Sequence, residues 1–556
     1  MEDFDTIVIG SGAGGLASAL CLARAGQKVL VLEQHDVPGG WCHSFTLNGQ
    51  RFSPGVHYIG LVDEGHSTSQ LYKGLGVAND LIFFRMNPKG YDHCIIGDHK
   101  FDIPAGIKNF EESLCERFPH EAKNIKEYLS LIGKVNSELQ LIPRLKGWWQ
   151  KITVPFRTKH FGKFALFSLK RVIGWHIKDP LLRAILNSQC GDHGLPPGKA
   201  SFPVHASVMY HYFDGGFYPM GGGGGIVKAM TSKIKELGGV VRTSTSVDKI
   251  LIKDNRAYGV RLKDRSEIFA KNIVSNADPT TTFTKLIDSQ HISKKFQKKL
   301  DNTKYSVTSL ILFLTLEMDV TQAGIDSGNI WHFKNDDLDG LFDQLIAGDL
   351  KDENEFPALF LSCTTLKDPA SFNGKYHNFE VVTYIGYDAL KNFNNTDDYH
   401  TGEYQSFKDH VVQMFMNTVE KLIPGAKENV IQAELGTPKT NQFYIKSTRG
   451  SVYGTEKTLN QVGPFAYKHK SPIDGLYLCG ASTSSHGVTG ASYSGVEAAA
   501  VILGTTSDEL LSNRDGQHIR IYDAENPDSW DEYIHKKRSD KVRTFKEVNI
   551  NTTTAG

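Results

Sequence analysis

The sequence predicts an α/β protein in which a discontinuous Rossmann-like, dinucleotide-binding domain is interleaved with an α+β domain. Three observations support this fold class. The chain has 556 residues, which is more than one simple domain requires. It contains 53 glycines, and they follow no collagen or linker repeat. Near the amino terminus, an apolar strand pattern leads into a glycine-rich turn and then into an Ala/Leu-rich helix pattern.

The first strand, turn and helix have the spacing of a dinucleotide-binding βαβ unit. The strand pattern at 4–9 precedes the turn, and a second strand pattern at 28–32 ends at Glu33. The glycines of such a unit allow a tight turn and a close approach of the pyrophosphate, and the helix amino terminus attracts the phosphates. A carboxylate at this point accepts ribose hydroxyls and repels a 2′-phosphate, which disfavours NADP. We therefore expect the cofactor to contact Gly10, Gly12, Gly14, Gly15 and Glu33.

A second pair of glycines indicates which dinucleotide is bound. Gly39 and Gly40 follow Glu33 closely. Flavoproteins commonly have a second glycine contact at this point, where the chain runs along the extended FAD, and NAD dehydrogenases usually lack it. The glycine run at 221–225 precedes a helix pattern, but no strand pattern leads into it, and Ile226 occupies the final glycine position of the motif. The sequence therefore predicts FAD and no separate NAD(P)H-binding fold. NAD(P)H stays open as an external electron donor.

Beyond these motifs, the sequence resembles the retinol saturases (all-trans-retinol 13,14-reductases) of the phytoene desaturase and carotenoid isomerase superfamily of FAD proteins. The resemblance spans most of residues 4–504. It rests on the run Gly39-Gly40-Trp41-Cys42-His43-Ser44-Phe45 with residues 55–60, and on residues 216–278, 437–454 and 475–503. It implies that Val247, Gly480 and Gly490 also contact FAD. It further implies that a helix over 226–237 begins against the flavin.

One position departs from the pattern of many relatives. After Gly480 the chain has Ala481-Ser482-Thr483, where many superfamily members carry an acidic residue. This form is closer to the bacterial desaturases. The difference is compatible with flavin binding but weakens the assignment to the saturase branch.

The cofactor motifs lie at both ends and in the middle of the chain, so the FAD-binding domain is predicted to be discontinuous. We assign residues 1–110, 205–300 and 430–505 to it. Residues 111–204 and 301–429 then form the substrate domain, with strand patterns at 307–316, 330–333, 358–362 and 379–385. Residues 506–556 are polar and mixed in charge, and we expect them to form a peripheral, partly disordered tail.

Composition limits the classes of partner and compartment. Lys and Arg together number 62, as do Asp and Glu, and this neutral balance predicts no nucleic-acid partner. The 7 cysteines are scattered without a CxxC pair, so we expect no metal site and no disulfide framework. No signal-peptide pattern and no apolar stretch long enough to span a bilayer is present in the sequence. We expect a cytoplasmic or peripheral-membrane protein.

Residues 140–178 contradict the impression of a neutral surface. This segment contains no Asp or Glu, and its basic residues are accompanied by aromatic ones. Basic residues combined with interfacial aromatic rings are typical of a surface that docks on a membrane. The alternative is a basic helical cap that folds onto the core. The basic residues are Arg144, Lys146, Lys151, Arg157, Lys159, Lys163, Lys170, Arg171 and Lys178, and the tryptophans are Trp148, Trp149 and Trp175.

The resemblance implies an FAD-dependent oxidoreductase that reduces a C=C bond of a conjugated isoprenoid polyene, of the all-trans-retinol to 13,14-dihydroretinol type. A carotenoid or phytoene desaturase, a carotenoid cis–trans isomerase and a non-catalytic lipid-binding escort protein are the alternatives. Reduction needs a hydride at one carbon and a proton at its neighbour. For Cys42 we expect a packing role. The candidate proton donors, each of which is also a common structural residue, are His57, Tyr58, His211, Tyr218, Tyr444 and His486.

Overall fold

The computed structural model describes residues 3–142, 157–350, 352–393 and 402–554. None of the helices in these ranges combines the length and the apolar character needed to cross a bilayer. The helices are α1 (Ala13–Arg24), α2 (Ser67–Leu75), α3 (Ile107–Arg117), α4 (Ala122–Leu141), α5 (Lys159–Phe164), α6 (Leu169–His176), α7 (Pro180–Asn187), α8 (Phe202–Tyr212), α9 (Gly223–Glu236), α10 (Lys294–Asp301), α11 (Leu338–Ala347), α12 (Thr364–Lys367), α13 (Gly402–Leu422), α14 (Pro438–Ile445), α15 (Gly487–Leu503), α16 (Ser507–Leu510) and α17 (Glu532–Thr554).

The strands are β1 (Phe4–Ile9), β2 (Val29–Leu32), β3 (Phe45–Leu47), β4 (Gln50–Phe52), β5 (Ile82–Arg85), β6 (Asp92–Ile96), β7 (His99–Ile103), β8 (Phe217–Pro219), β9 (Val240–Arg242), β10 (Val247–Lys253), β11 (Arg256–Leu262), β12 (Glu267–Ser275), β13 (Thr308–Leu316), β14 (Asn329–Phe333), β15 (Ala358–Cys363), β16 (His377–Ile385), β17 (Val430–Gly436), β18 (Leu476–Leu478) and β19 (Arg520–Asp523). They form two seven-stranded sheets, a three-stranded sheet and the β3–β4 hairpin.

The first large sheet has a parallel centre in the order β9-β2-β1-β12-β18, and β10 and β11 extend it through antiparallel pairing with β12. All residues of β2 are buried, as are the last four of β1, because layers of structure cover both faces of this centre. Helix α1 packs mainly against α15 and also against α9. The strands come from 4–32, 240–275 and 476–478. This is the discontinuous Rossmann-like arrangement that the sequence predicts.

The second large sheet has the order β17-β13-β16-β15-β14-β6-β7 and is antiparallel except for the β14–β6 pair. The four strands predicted at 307–316, 330–333, 358–362 and 379–385 are confirmed as β13 to β16. Every residue of β13 is buried, because the sheet is covered on both faces. Helix α11 packs against β16, while α3, α5 and α8 pack around α4. The second unit is therefore α+β.

Sheet membership differs from the predicted domain boundaries at two places. Strands β6 and β7, at 92–103, pair in the second sheet, although residues up to 110 were assigned to the FAD-binding domain. Strand β17, which starts at 430, also pairs there, against β13. A strand pattern reveals which residues alternate or are buried but not which distant strand they pair with. The boundaries at 110 and 430 follow the motifs and miss these pairings.

The carboxyl-terminal segment is packed against the fold, so the expectation of a peripheral tail is wrong for most of it. Strand β19 joins β5 and β8 in the three-stranded sheet. Trp530 and Ile534 are buried beside Phe84 of β5. A few large apolar side chains in a polar segment are enough to hold it, because each buries much apolar surface. The sequence shows no strand pattern before the 221–225 glycine run. The three-stranded sheet corrects this, since β8 ends at Pro219, just before the run.

Candidate active site

A cleft lies at the carboxyl ends of the parallel strands β1, β2, β12 and β18. This edge is where doubly wound sheets bind dinucleotides. Of the predicted cofactor contacts, Gly15 and Gly490 lie outside its lining. The others line the cleft, namely Gly10, Gly12, Gly14, Glu33, Gly39, Gly40, Val247 and Gly480.

The turn after β1 brings the backbone to the floor of the cleft. Gly10 has φ of 90°, in the left-handed region that favours glycine. A Cβ on Gly15 would lie 2.1 Å from the carbonyl oxygen of Gly10, so Gly15 permits the helix to pack on the turn. Gly490 has a similar role, since its Cβ would lie 2.5 Å from Oγ of Ser485. The first turn of α1 has no side-chain cap and no acidic residue, which leaves its amino end open to phosphates.

Glu33 joins the two glycine motifs. Its Oε2 accepts hydrogen bonds from the backbone N–H of Ser11 at 2.9 Å and from Oγ of Ser11 at 2.6 Å, and its Oε1 accepts from the N–H of His35 at 2.9 Å. Oγ of Ser11 accepts in turn from the N–H of Gly39 at 2.9 Å. Each carboxylate oxygen has more lone pairs than these donors use, so it can also accept ribose hydroxyls.

Three cleft glycines closely approach the side chain of Asn276, which the sequence does not single out as a candidate site residue. A Cβ on Gly12, Gly14 or Gly480 would lie 2.6 to 2.8 Å from an atom of its side-chain amide. Asn276 directly follows β12, and Sγ of Cys479 lies 3.5 Å from its Oδ1. The carboxyl end of a parallel strand such as β12 is where cofactor-binding residues collect in these sheets.

The 221–225 glycines lie at the start of α9, where it packs on the loop that follows Glu33. A Cβ on Gly223 would lie 2.4 Å from the carbonyl oxygen of Cys42, and one on Gly224 would lie 2.9 Å from Ser44. These glycines let α9 pack on the loop that carries Gly39 and Gly40. Burial raises the pKa of the Cys42 thiol to about 12, which supports a packing role for it.

A short 3₁₀ helix, Ser188–His193, places polar groups behind the cleft wall. The carbonyl oxygen of Gly191 accepts hydrogen bonds from Oη of Tyr384 at 2.5 Å and from Oη of Tyr453 at 2.9 Å. Tyr453 lines the cleft. Nε2 of His486, just before α15, lies 3.1 Å from the carbonyl oxygen of Asp192. We refer to residues 188–193 as the polar turn; the sequence motifs did not reveal it.

Tyr58, a predicted proton-donor candidate, lies between two carboxyl groups. Its Oη is 2.7 Å from Oδ2 of Asp192 and 3.2 Å from Oδ2 of Asp92. Asp92 also accepts from Nδ2 of Asn329 at 2.7 Å and from Nε2 of Gln189 at 3.0 Å. Burial raises the pKa of Asp92 to about 6, and it raises the pKa of Asp192 well above the ordinary range. The hydroxyl and the two carboxyls form one coupled proton-holding group.

His57, a second candidate, belongs to the same region of the core. Its Nδ1 lies 3.0 Å from Oε2 of the fully buried Glu380. Its carbonyl oxygen accepts a hydrogen bond from Nζ of Lys367 at 2.9 Å. Burial lowers the pKa of Lys367 to about 7, against the attraction of nearby carboxylates. Ionisable groups are concentrated here because each can partner another; isolated, each would be costly to bury.

The remaining candidates are separated from one another. Nε2 of His211 accepts from the N–H of Gly60 at 2.9 Å, and burial lowers its pKa to about 4, so it is a neutral structural residue. Tyr218 is buried, with Nζ of Lys367 5.7 Å from its ring. Tyr444 lines the cleft and is 45% exposed. Burial lowers the pKa of His486 to about 3, so its ring is neutral.

One cluster has the composition of a metal site, although the sequence spacing suggested none. Cys190, His193 and His205 are buried, and their ligand atoms all lie within 4.8 Å of one another. Nε2 of His193 is 3.2 Å from Nδ1 of His205, whose Nε2 is 3.1 Å from the carbonyl oxygen of Leu186. A hydrogen bond between the two imidazoles satisfies the same geometry without an ion.

Comparison with known proteins agrees with this geometry. Residues 13–503 match the family model described as flavin containing amine oxidoreductase. The chain is 28% identical over 526 residues to an all-trans-retinol 13,14-reductase of Danio rerio, covering 90% of this chain and 86% of that protein. It is also 28% identical over 518 residues to the chloroplastic prolycopene isomerase 2 of an Oncidium hybrid cultivar, covering 89% of this chain and 83% of that protein. A solved oxidoreductase from Methanosarcina mazei superposes with a TM-score of 0.61 at 17% identity, covering 90% of this chain and all of that one.

The described residues fit FAD. The glycine turn leaves room for a pyrophosphate beside an uncapped helix end, Glu33 offers acceptors for a ribose, and Gly39 and Gly40 continue the cleft along the dinucleotide. The family match covers the strands of both large sheets except β1, and it covers most of the residues that line the cleft. The chain therefore belongs to the flavin containing amine oxidoreductase family and is an FAD-dependent oxidoreductase.

Proposed function

We propose that this enzyme reduces a C=C bond of a conjugated isoprenoid polyene, in the manner of the conversion of all-trans-retinol to 13,14-dihydroretinol. The observation that carries the proposal is the extent of the likeness to reductases of this substrate. It covers 90% of the chain, so it includes the second sheet and the helices around α4 as well as the FAD cleft. Substrate preference resides in that second unit, whereas the cleft is common to flavoproteins of many activities.

The roles of the chain's own residues follow from the geometry. Bound FAD, in its reduced form, supplies the hydride. Gly10, Gly12 and Gly14 with the amino end of α1 would hold its pyrophosphate, and Glu33 its ribose. Transfer of a hydride to carbon is favoured over side reactions when water is excluded from the site.

The proposal is tested with the FAD-loaded protein, reduced anaerobically and mixed with all-trans-retinol or a panel of carotenoids. We expect retinol to reoxidise the flavin and to yield a product heavier by two hydrogens. The oxidised enzyme serves as control and should leave retinol unchanged. If neither retinoids nor carotenoids reoxidise the flavin or change, the substrate proposal is wrong, while the FAD chemistry stands.

A second candidate is cis–trans isomerisation of a carotenoid. The similarity to the prolycopene isomerase, at 28% identity over 89% of the chain, supports it. The same assay separates the reactions. A product of unchanged mass with shifted absorbance identifies isomerisation, and a product lighter by two hydrogens, formed by the oxidised enzyme, identifies desaturation. Oxidation of added NAD(P)H during turnover would identify it as the external electron donor.

We also propose that the 140–178 segment docks on an anionic membrane surface, from which an apolar polyene can be taken up. Residues 143–156, with Trp148 and Trp149, lie outside the described residues. In the described part, Leu166 is 75% exposed and Trp175 is 47% exposed. The guanidinium carbon of Arg171 lies 5.8 Å from the Trp175 ring. Exposed apolar side chains on a segment that also carries cations match the headgroup boundary of a bilayer.

Vesicle sedimentation tests this docking. We expect the protein to bind vesicles containing phosphatidylserine, and binding to fall with salt and with the substitution Leu166→Asp. Ile431→Asp is the matched control, because Ile431 is 51% exposed on β17, in the second sheet. Equal binding of the two variants, or no binding by the wild type, would show that the segment is a basic cap on the core.

A further inference from the structure

Three side chains of metal-binding type meet in the core of the second unit. Cys190 and His193 lie on the polar turn, and His205 lies near the start of α8. All three residues are fully buried, and one ligand atom of each lies within 4.8 Å of the other two. None of them lines the FAD cleft. The fold thus brings a thiol and two imidazoles to one point outside the cofactor site.

The ring of His205 is oriented so that its Nδ1 carries a lone pair toward this point. Its Nε2 is 3.1 Å from the carbonyl oxygen of Leu186, near the end of α7. A carbonyl oxygen can only accept a hydrogen bond, so Nε2 carries the proton and Nδ1 of the neutral ring carries none. A hydrogen bond from the far nitrogen to a carbonyl is also the contact that orients the histidine ligands of metal ions.

Two neighbours converge on that single lone pair. Nε2 of His193 lies 3.2 Å from Nδ1 of His205, and Sγ of Cys190 lies 3.9 Å from the same atom. An imidazole nitrogen has one lone pair in the plane of its ring, so it accepts one good hydrogen bond. If His193 donates that bond, the described residues offer Sγ of Cys190 no other hydrogen-bond partner. A hydrogen bond between the imidazoles therefore accounts for two of the three side chains.

A metal ion accounts for all three. Zinc binds imidazole nitrogen at about 2.0–2.1 Å and thiolate sulfur at about 2.3 Å, in tetrahedral geometry. With these bond lengths, two nitrogens on one ion lie about 3.3 Å apart, and a nitrogen and a sulfur lie about 3.6 Å apart. The corresponding separations in the cluster are 3.2 Å and 3.9 Å. We propose that Cys190, His193 and His205 bind Zn²⁺, with water in the fourth position.

The ion would fasten the polar turn to α8. Gly191, which follows the ligand Cys190, accepts hydrogen bonds from Tyr384 and from Tyr453 of the cleft wall. On binding, the Cys190 thiol loses its proton to solvent and the two imidazoles bind as neutral rings. The unfolded chain has no such preformed site, so the binding free energy stabilises the folded protein. This role is structural and does not depend on the proposed reaction.

The test begins with metal analysis of the untagged, FAD-loaded wild type, purified without chelators. We expect about one zinc ion for each chain, with X-ray absorption showing one sulfur neighbour at about 2.3 Å and nitrogen neighbours at about 2.0–2.1 Å. After chelator treatment, added Co²⁺ should give the visible d–d bands of a tetrahedral site, at longer wavelengths than oxidised flavin absorbs.

A pair of cysteine variants locates the ion. Loss of an outer-shell partner already weakens metal sites about 10- to 100-fold, so Cys190→Ser, which removes a ligand, should weaken Zn²⁺ binding at least as much. Cys363→Ser is the matched control, because Cys363 is also fully buried but lies on β15, outside the cluster. Added Zn²⁺ should raise the thermal unfolding temperature of chelator-treated wild type and Cys363→Ser, but not that of Cys190→Ser.

The opposite results would overturn the proposal. If the wild type binds neither Zn²⁺ nor Co²⁺, or if the bound ion has no sulfur neighbour, the two imidazoles are joined by a hydrogen bond and the site is not a metal site. Equal Zn²⁺ affinity of wild type and Cys190→Ser would place the ion elsewhere on the chain. The wild-type measurements decide the question even if Cys190→Ser fails to fold. None of these results bears on polyene reduction, which is assayed separately.

Discussion

The pH dependence of the free energy of unfolding should reveal the contribution of one buried cation in the second sheet. His93 lies on β6, directly after Asp92, and its ring is held between two carboxylates. Nδ1 is 2.6 Å from Oδ1 of Asp102, and Nε2 is 2.9 Å from Oδ1 of Asp326. Burial alone would favour the neutral ring, but the two hydrogen bonds raise the pKa of His93 from 6.5 to about 9. We expect the substitution His93→Gln to remove a stabilising contribution that depends on pH.

The size and sign of this contribution follow from the shift. Because the pKa is higher in the folded state than in the unfolded state, the stabilisation is fully present below pH 6.5 and is lost as the pH rises through about 9. The full shift corresponds to about 3.5 kcal/mol at ~1.4 kcal/mol for each pH unit. Asp102 is 45% exposed and Asp326 is 28% exposed, so solvent screens both pairs. We therefore expect about 2 kcal/mol.

The assay compares the free energy of unfolding of wild type and His93→Gln, from urea titrations at about pH 6 and about pH 9.5. The difference between the two proteins should be about 2 kcal/mol larger at the lower pH. Lys367 and Lys457, with pKa values lowered to about 7 by burial, add a stability change of opposite sign over part of this range. It occurs in both proteins and cancels in the difference. A difference that is constant with pH, or larger at high pH, would refute the reasoning.

Three further changes test the cleft and the buried charges. Glu33→Gln replaces a carboxylate that accepts three hydrogen bonds, so FAD affinity measured by flavin fluorescence should fall about tenfold or more, and an unchanged affinity would exclude this role. Gly480→Ala places a Cβ 2.8 Å from Oδ1 of Asn276 at φ of 94°, so it should lower the ratio of bound flavin to protein. Gly516→Ala, at φ of 68° with open space around it, is the control for backbone strain alone. Lys367→Met leaves buried carboxylates without their cation and should lower the free energy of unfolding by about 3–5 kcal/mol, whereas equal or higher stability in thermal denaturation would contradict a stabilising role.

The cofactor cleft could be predicted from the sequence because its determinants are local. A strand, a glycine turn and a helix within 4–24 specify a backbone that approaches a phosphate, and Glu33 follows at the end of the next strand. Asn276 could not be selected in the same way. Its role depends on meeting Gly12 and Gly480, which are distant in sequence, and an asparagine after a strand has many other uses. The local sequence pattern identifies the cleft but not Asn276, the side chain that its glycines closely approach.

The proton-holding group could not be predicted for a related reason. The predicted FAD-binding range 1–110 includes Asp92. However, β6, on which Asp92 lies, pairs with β14 and so belongs to the second sheet. Asp192 stands in a short 3₁₀ turn without a helical or strand period. Tyr58 was a candidate because it lies beside a motif, but a phenol with its ordinary pKa is a weak acid. Only the pairing of β6 with the distant strand β14 reveals that the Asp92 carboxyl lies within hydrogen-bonding distance of the Tyr58 hydroxyl.

The same geometry bears on which reaction this site performs. Buried charged groups are costly, and the core of the second unit holds Asp92, Lys367 and Glu380. Reduction of a polyene consumes a proton, whereas isomerisation consumes none, so the two reactions make different demands on the proton-holding group of Tyr58, Asp92 and Asp192. Asp192→Asn tests this group: if it supplies the proton, the variant should slow saturation about 10²-fold or more but leave isomerisation by the same protein unaffected. Equal loss of both activities would mean that Asp192 acts by shaping the site and not by supplying a proton.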